Sequence, residues 1–136
     1  MSYPITDLQG IDGHAVAALR SAGIRSTGTL LERARTVKGR KLLAEKTQFD
    51  EKQLLCWANG ADRMRVRGVS REYALLLHYA GVDTVKELSY RNPKNLAASL
   101  AQANKKHRVV RIPPSEKLVE RWIEHAKELP LKISYR

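Results

Sequence analysis

Leu8-Gln9-Gly10-Ile11 and Val66-Arg67-Gly68-Val69 decide the fold of this chain, because each opens a segment and the second copies the form of the first. The two glycines lie 58 positions apart, and the match continues at that offset without a gap. Leu19 pairs with Leu77, Ala22 with Ala80, Gly23 with Gly81, Ile24 with Val82 and Leu30 with Leu88. A hydrophobic residue, one variable residue, then glycine and a second hydrophobic residue make a tight hairpin, since glycine accepts positive φ without a steric cost. A self-similar chain of this length reads as two supersecondary units.

Working outward, each hairpin leads into a helix, roughly 14–22 and 71–80, that ends in Ala-Gly-(Ile/Val). Gly23 and Gly81 stand where a left-handed C-cap terminates a helix. Ser26 and Thr84 cap the next short helices, and Glu87 completes a capping box on Thr84. Thr36 starts a helix near 37–46, and Asn92-Pro93 starts another. Phe49-Asp50-Glu51-Lys52-Gln53-Leu54 offers a capping box (Asp50 with Gln53) and a hydrophobic staple (Phe49 with Leu54). Pro113-Pro114-Ser115 breaks the chain before a last helix, roughly 116–128. There Val119, Trp122, Ile123, Ala126 and Leu129 form an apolar stripe at helical spacing. Trp57 and Trp122 each fall seven residues after a cap and read as core anchors. No stretch reads as a convincing strand, and Val109-Val110-Arg111-Ile112 is short and runs into two prolines. The expected class is all-α: tandem helix-hairpin-helix-like repeats forming one compact helical domain. The repeats are 1–65 and 66–130, followed by a C-terminal tail, 131–136.

A chain of 136 residues buries about two thirds of its unfolded surface and needs no staple. Cys56 is the single cysteine, which rules out an intramolecular disulfide and a cysteine metal cluster. No apolar run approaches the roughly 20 residues that span a bilayer. Met1-Ser2-Tyr3-Pro4 lacks the basic and apolar regions of a secretory signal, so a cytoplasmic location is expected. The formal net charge is +11 and the isoelectric point about 10.1, which favours polyanionic partners. The excess leans on the second half. Residues 1–65 carry eleven basic against seven acidic side chains, residues 66–136 fourteen against seven.

The glycine-hydrophobic turns followed by a helix and Ala-Gly-Ile resemble the helix-hairpin-helix motif of DNA repair and replication proteins. The closer resemblance is to a bacterial family of unknown function with two such units in tandem. It is carried by Leu8-Gln9-Gly10-Ile11, Leu19-Arg20-Ser21-Ala22-Gly23-Ile24, the run from Ala61 to Val69, the run from Ala80 to Leu88, and Arg91-Asn92-Pro93-Lys94-Asn95-Leu96. It covers about residues 5 to 129. The helix-hairpin-helix resemblance implies that backbone amides at a hairpin and at the following helix N-terminus hold phosphates without reading bases. The second copy keeps Gly68 but has Ser70 where a second glycine usually stands; Ser70 can cap the helix, and Arg67 and Arg71 add charge. In the first copy, Gly10-Ile11-Asp12-Gly13 places a carboxylate at that position, so this hairpin reads as structural. The expected nucleic-acid-binding set is therefore Arg65, Arg67, Gly68, Val69, Ser70 and Arg71, extended by the basic loop Lys105, Lys106, Arg108 and Arg111. The expected partner is DNA, bound without sequence preference. A protein partner, through a docking or oligomerisation surface, is the alternative.

Catalysis finds no support. His14, His78, His107 and His125 are scattered and lack paired ligands at metal spacing. Cys56 sits in an apolar helical context, where cysteine behaves as a small hydrophobe. Glu116, Glu120, Glu124 and Glu128 step by four along one helix and read as a solvated stripe. Val37-Lys38-Gly39-Arg40-Lys41 fits no P-loop spacing and reads as a helix start. The run Arg63-Met64-Arg65-Val66-Arg67 is either a row of phosphate contacts or a solvated face around buried Met64 and Val66. The basic residues do not segregate onto one amphipathic helix, which disfavours a membrane surface. No cofactor, metal or small-molecule substrate is expected.

Overall fold

Polar side chains at the starts of helices set most of the element boundaries. The computed structural model describes residues 2–8 and 10–136; Met1 and Gln9, the variable position of the first glycine hairpin, lie outside the described residues. A 3-10 turn, Ile5–Asp7, precedes α1 (Gly13–Ser21), α2 (Thr27–Ala34), α3 (Val37–Thr47), α4 (Glu51–Arg63), α5 (Arg71–Tyr79), α6 (Val85–Ser89), α7 (Pro93–His107) and α8 (Glu116–Glu128). No strand occurs among the described residues, and the class is all-α. Asp12, Ser26, Thr36, Thr84, Asn92 and Ser115 each accept the backbone N–H three residues on, at the starts of α1, α2, α3, α6, α7 and α8. At α4, Asp50 accepts from Lys52 N–H at 2.9 Å, one residue earlier than a capping box with Gln53 requires.

Gly23 and Gly81 both have φ of +88° and close their helices alike. Gly23 N–H donates to Arg20 O and Ile24 N–H to Leu19 O; Gly81 N–H donates to His78 O and Val82 N–H to Leu77 O. This six-to-one and five-to-two pairing satisfies carbonyls that a helix end leaves open. The buried Ile24 and Val82 then seat the chain on the core as it leaves each helix.

The chain forms two compact units, Met1–Asp62 with Lys132–Arg136, and Arg63–Leu131. In the first, α2 packs on α3, and Ile5, Leu19, Leu30, Leu31, Leu43 and Leu54 are fully buried. Phe49 stands edge-on to the buried Trp57, ring centroids 5.1 Å apart. Gly39, inside α3, is a glycine because a Cβ there would strike the Arg33 carbonyl oxygen. The last residues are tied in by Arg40, which is only 4% exposed. Its guanidinium donates to Ala34 O at 2.8 Å and Ser134 O at 2.7 Å, and Ser134 N–H donates to Arg35 O. Burial lowers the Arg40 pKa, a shift partly opposed by Tyr135 and Glu51.

In the second unit α8 packs against α6 and α7, and α5 against α7. Val119, Trp122, Ile123 and Ala126 of α8 are buried as their spacing predicts, while Leu129 is half-buried.

Candidate nucleic-acid interface

The second hairpin joins α4 to α5. Val66 N–H donates to Arg63 O at 3.2 Å and Val69 N–H to Val66 O at 3.0 Å, closing the turn around Gly68, whose φ is +87°. Val66 and Val69 are fully buried and pin the two sides of the turn. Gly68 has a second reason to be glycine: a Cβ would lie 3.2 Å from Nε1 of Trp122. Trp122 is 1% exposed, and its ring lies 4.9 Å from that of Tyr73. Its indole N–H is buried and has no hydrogen-bond partner among the described residues. One turn further along α8, His125 accepts the Arg67 N–H through Nδ1 at 2.9 Å. Two side chains of α8 thus hold the hairpin.

What remains open is the N-terminus of α5. Ser70 occupies the cap position with extended backbone, yet its side chain makes no cap bond; it donates instead to Glu72 Oε2 at 3.4 Å. The expectation that Ser70 caps α5 is therefore corrected: its hydroxyl accepts no helix N–H. Among the described residues neither Gly68 N–H nor Ser70 N–H has a partner, whereas the amides of Arg67 and Val69 are already used. Arg67 and Arg71 flank this end and are exposed. Arg65 is different, since its guanidinium donates to Pro130 O at 3.0 Å.

The alternating run before the hairpin is chiefly structural. Met64 and Val66 are buried, and so is Arg63, which donates to Ala74 O and Asp83 O at 2.9 Å each. In the first hairpin Gly10 has φ of +82°, and Asp12 Oδ1 accepts from Ala15 N–H at 2.8 Å. The carboxylate fills the helix end where an anion would sit.

The basic loop is shaped by a residue that the sequence pattern did not single out. Asn104, buried at the end of α7, accepts the N–H groups of Val109 and Val110 at 2.9 Å and donates to Val110 O. Arg108 takes a left-handed conformation, φ +50°, so the chain folds back onto Asn104. Lys105, Arg108 and Arg111 then line a cleft of about 530 Å³. The signals present in the sequence were an Asn one turn from a helix end and a cationic residue in the αL position; neither is specific. A wider groove of about 790 Å³ begins at Tyr79 and runs along α7 to Lys105, Lys106 and His107. Among the described residues no ion pair engages the side chains of Arg67, Lys105, Lys106, Arg108 or Arg111. The hairpin and this groove meet opposite ends of α5, about 12 Å apart at 1.5 Å rise per residue.

Other candidates take no part in either place. Cys56 is exposed on α4, correcting the expectation of a small core hydrophobe; Leu54 and Trp57 take the core positions on either side of it. His78 Nδ1 lies 2.6 Å from Asp83 Oδ1 on the surface. Among the described residues no group of three or more His, Cys, Asp or Glu side chains is arranged to hold a metal. No helix among them is long and apolar enough to cross a membrane.

All-helical architecture with glycine-closed turns places the chain among small helical modules. Residues 9–129 match the family described as a domain of unknown function (DUF4332), and the chain belongs to that family. No curated protein and no solved structure matches it.

Proposed function

We propose that this protein is a non-catalytic nucleic-acid-binding module that holds the phosphate backbone of DNA without sequence preference. The observation that carries the reading is the open start of α5. Its cap position is filled, its cap bond is unmade, two hairpin amides have no partner among the described residues, and Arg67 and Arg71 stand beside it. Unpaired N–H groups at the positive end of a helix attract an anion, and flanking guanidinium groups add Coulombic attraction. The +11 net charge and the unpaired cations of the Lys105–Arg111 loop supply the long-range term. In this reading the paired glycine turns are two helix-hairpin-helix units, of which the second binds and the first supports. The alternative, a protein docking module, draws on the first hairpin, where Asp12 closes the helix end to anions.

Anisotropy of labelled duplex DNA, titrated with the protein over a salt series, tests the reading. Affinity on the order of 10⁻⁴ to 10⁻⁶ M near physiological salt, falling steeply with added salt, is expected. Replacing Arg67 and Arg71 by alanine should weaken it on every sequence equally. Absence of binding at low salt would sink the proposal and leave docking.

A further inference from the structure

The groove between α5 and α7 has a feature that phosphate binding alone does not require. The rings of Tyr79 and His107 stack face to face, centroids 3.7 Å apart and planes within 3°. This stack is at the surface, with Tyr79 42% exposed. Face-to-face ring pairs are less favoured than edge-on pairs, and a stack that served the core would be covered. The short side chains of Ala80, Ala98, Ser99 and Ala103 line the groove beside it. The groove is open to solvent and has a volume of about 790 Å³. Lys105 and Lys106 also line the groove, and no carboxylate does. A planar anionic group able to stack would complement these features.

We propose that this groove receives an unpaired base of a single-stranded nucleic acid, stacked on the Tyr79–His107 pair with its neighbouring phosphates on Lys105 and Lys106. The proposal rests on the nucleic-acid reading above and narrows it: the open end of α5 holds backbone of any form, and the groove selects strands with bases free to stack. Base-on-aromatic stacking tolerates every base, so this selection adds no sequence preference.

The test compares a labelled thymidine strand, a duplex of equal length, and an otherwise identical strand with abasic sites. In Tyr79→Ala the ratio of single-strand to duplex affinity should fall about tenfold, and Tyr79→Phe, which keeps the ring, should restore it. With the unaltered protein, the abasic strand should bind as weakly as the intact strand binds Tyr79→Ala. Circular dichroism reports whether the variants keep their helicity. A ratio indifferent to Tyr79→Ala, or an abasic strand bound as well as an intact one, overturns the groove while leaving the phosphate site standing. If the unaltered protein binds neither strand nor duplex, the nucleic-acid reading itself fails, and the groove proposal with it.

Discussion

The two hairpins each turn on a left-handed glycine and differ in what stands at the exit. Leu8 N–H donates to Ile5 O and Val66 N–H to Arg63 O, both at 3.2 Å, and each turn pivots on a glycine with φ above +80°. At the first, Asp12 turns its carboxylate onto its own helix. At the second, Ser70 leaves the helix uncapped, and α8 grips the turn from beneath through Trp122 and His125. One cap side chain thus separates a capped helix start from an uncapped one. The open hairpin gives up a local cap but gains support from a distant helix.

Breaking that support should produce the largest effect. Trp122→Ala removes a fully buried indole and is expected to cost about 3–5 kcal/mol in denaturant unfolding. Trp122→Phe should cost less, because a ring still fills part of the space and, among the described residues, the buried N–H has no partner to lose. Equal penalties for the two variants would show that the phenyl ring does not fill that space. The glycines come next. Gly68→Ala must bear left-handed strain and a contact 3.2 Å from the Trp122 ring nitrogen, together about 2–3 kcal/mol. Gly10→Ala meets nothing within 4 Å and should bear the strain alone, about 1–2 kcal/mol. Equal costs at the two positions would show that the packing under Gly68 contributes nothing.

Local signals made the helical frame legible. The caps at Ser26, Thr36, Thr84, Asn92 and Ser115, the stops at Gly23 and Gly81, and the core positions of both tryptophans depend on residues within a few positions of one another. Side chains that act across long separations were not legible. Nothing near Arg67 announces that His125 will take its amide, and nothing near Arg40 announces that it will be buried against Ser134. The Tyr79–His107 stack joins two helices whose separate periodicities are silent about it. Ser70 misled for a different reason: a serine before a helix has the right type for a cap, but residue type alone does not aim its hydroxyl at a helix N–H. The basic loop was visible as charge, yet its shape depends on Asn104.

The finest test exchanges the cap chemistry itself. Ser70→Asp places on α5 the carboxylate that Asp12 gives α1, which should satisfy an open amide and favour the helix dipole. The expected gain is about 0.5–1 kcal/mol of stability. The same change puts a negative charge where phosphate is proposed to sit, so duplex affinity should fall while the protein becomes more stable. Asp12→Ala runs the other way, costing about 1 kcal/mol with little effect on affinity, because the first hairpin is not proposed to bind. The salt slope separates the causes. Every phosphate that the protein ceases to neutralise lowers the slope by about 0.9. Ser70→Asp and Arg67→Ala should therefore both flatten the plot of log affinity against log salt, and Asp12→Ala should not. Opposite movements of stability and affinity at position 70 cannot arise from damage to the fold, since damage lowers both. If Ser70→Asp stabilises α5 and leaves the slope intact, the open helix end is only an unfilled cap and the phosphates are held elsewhere.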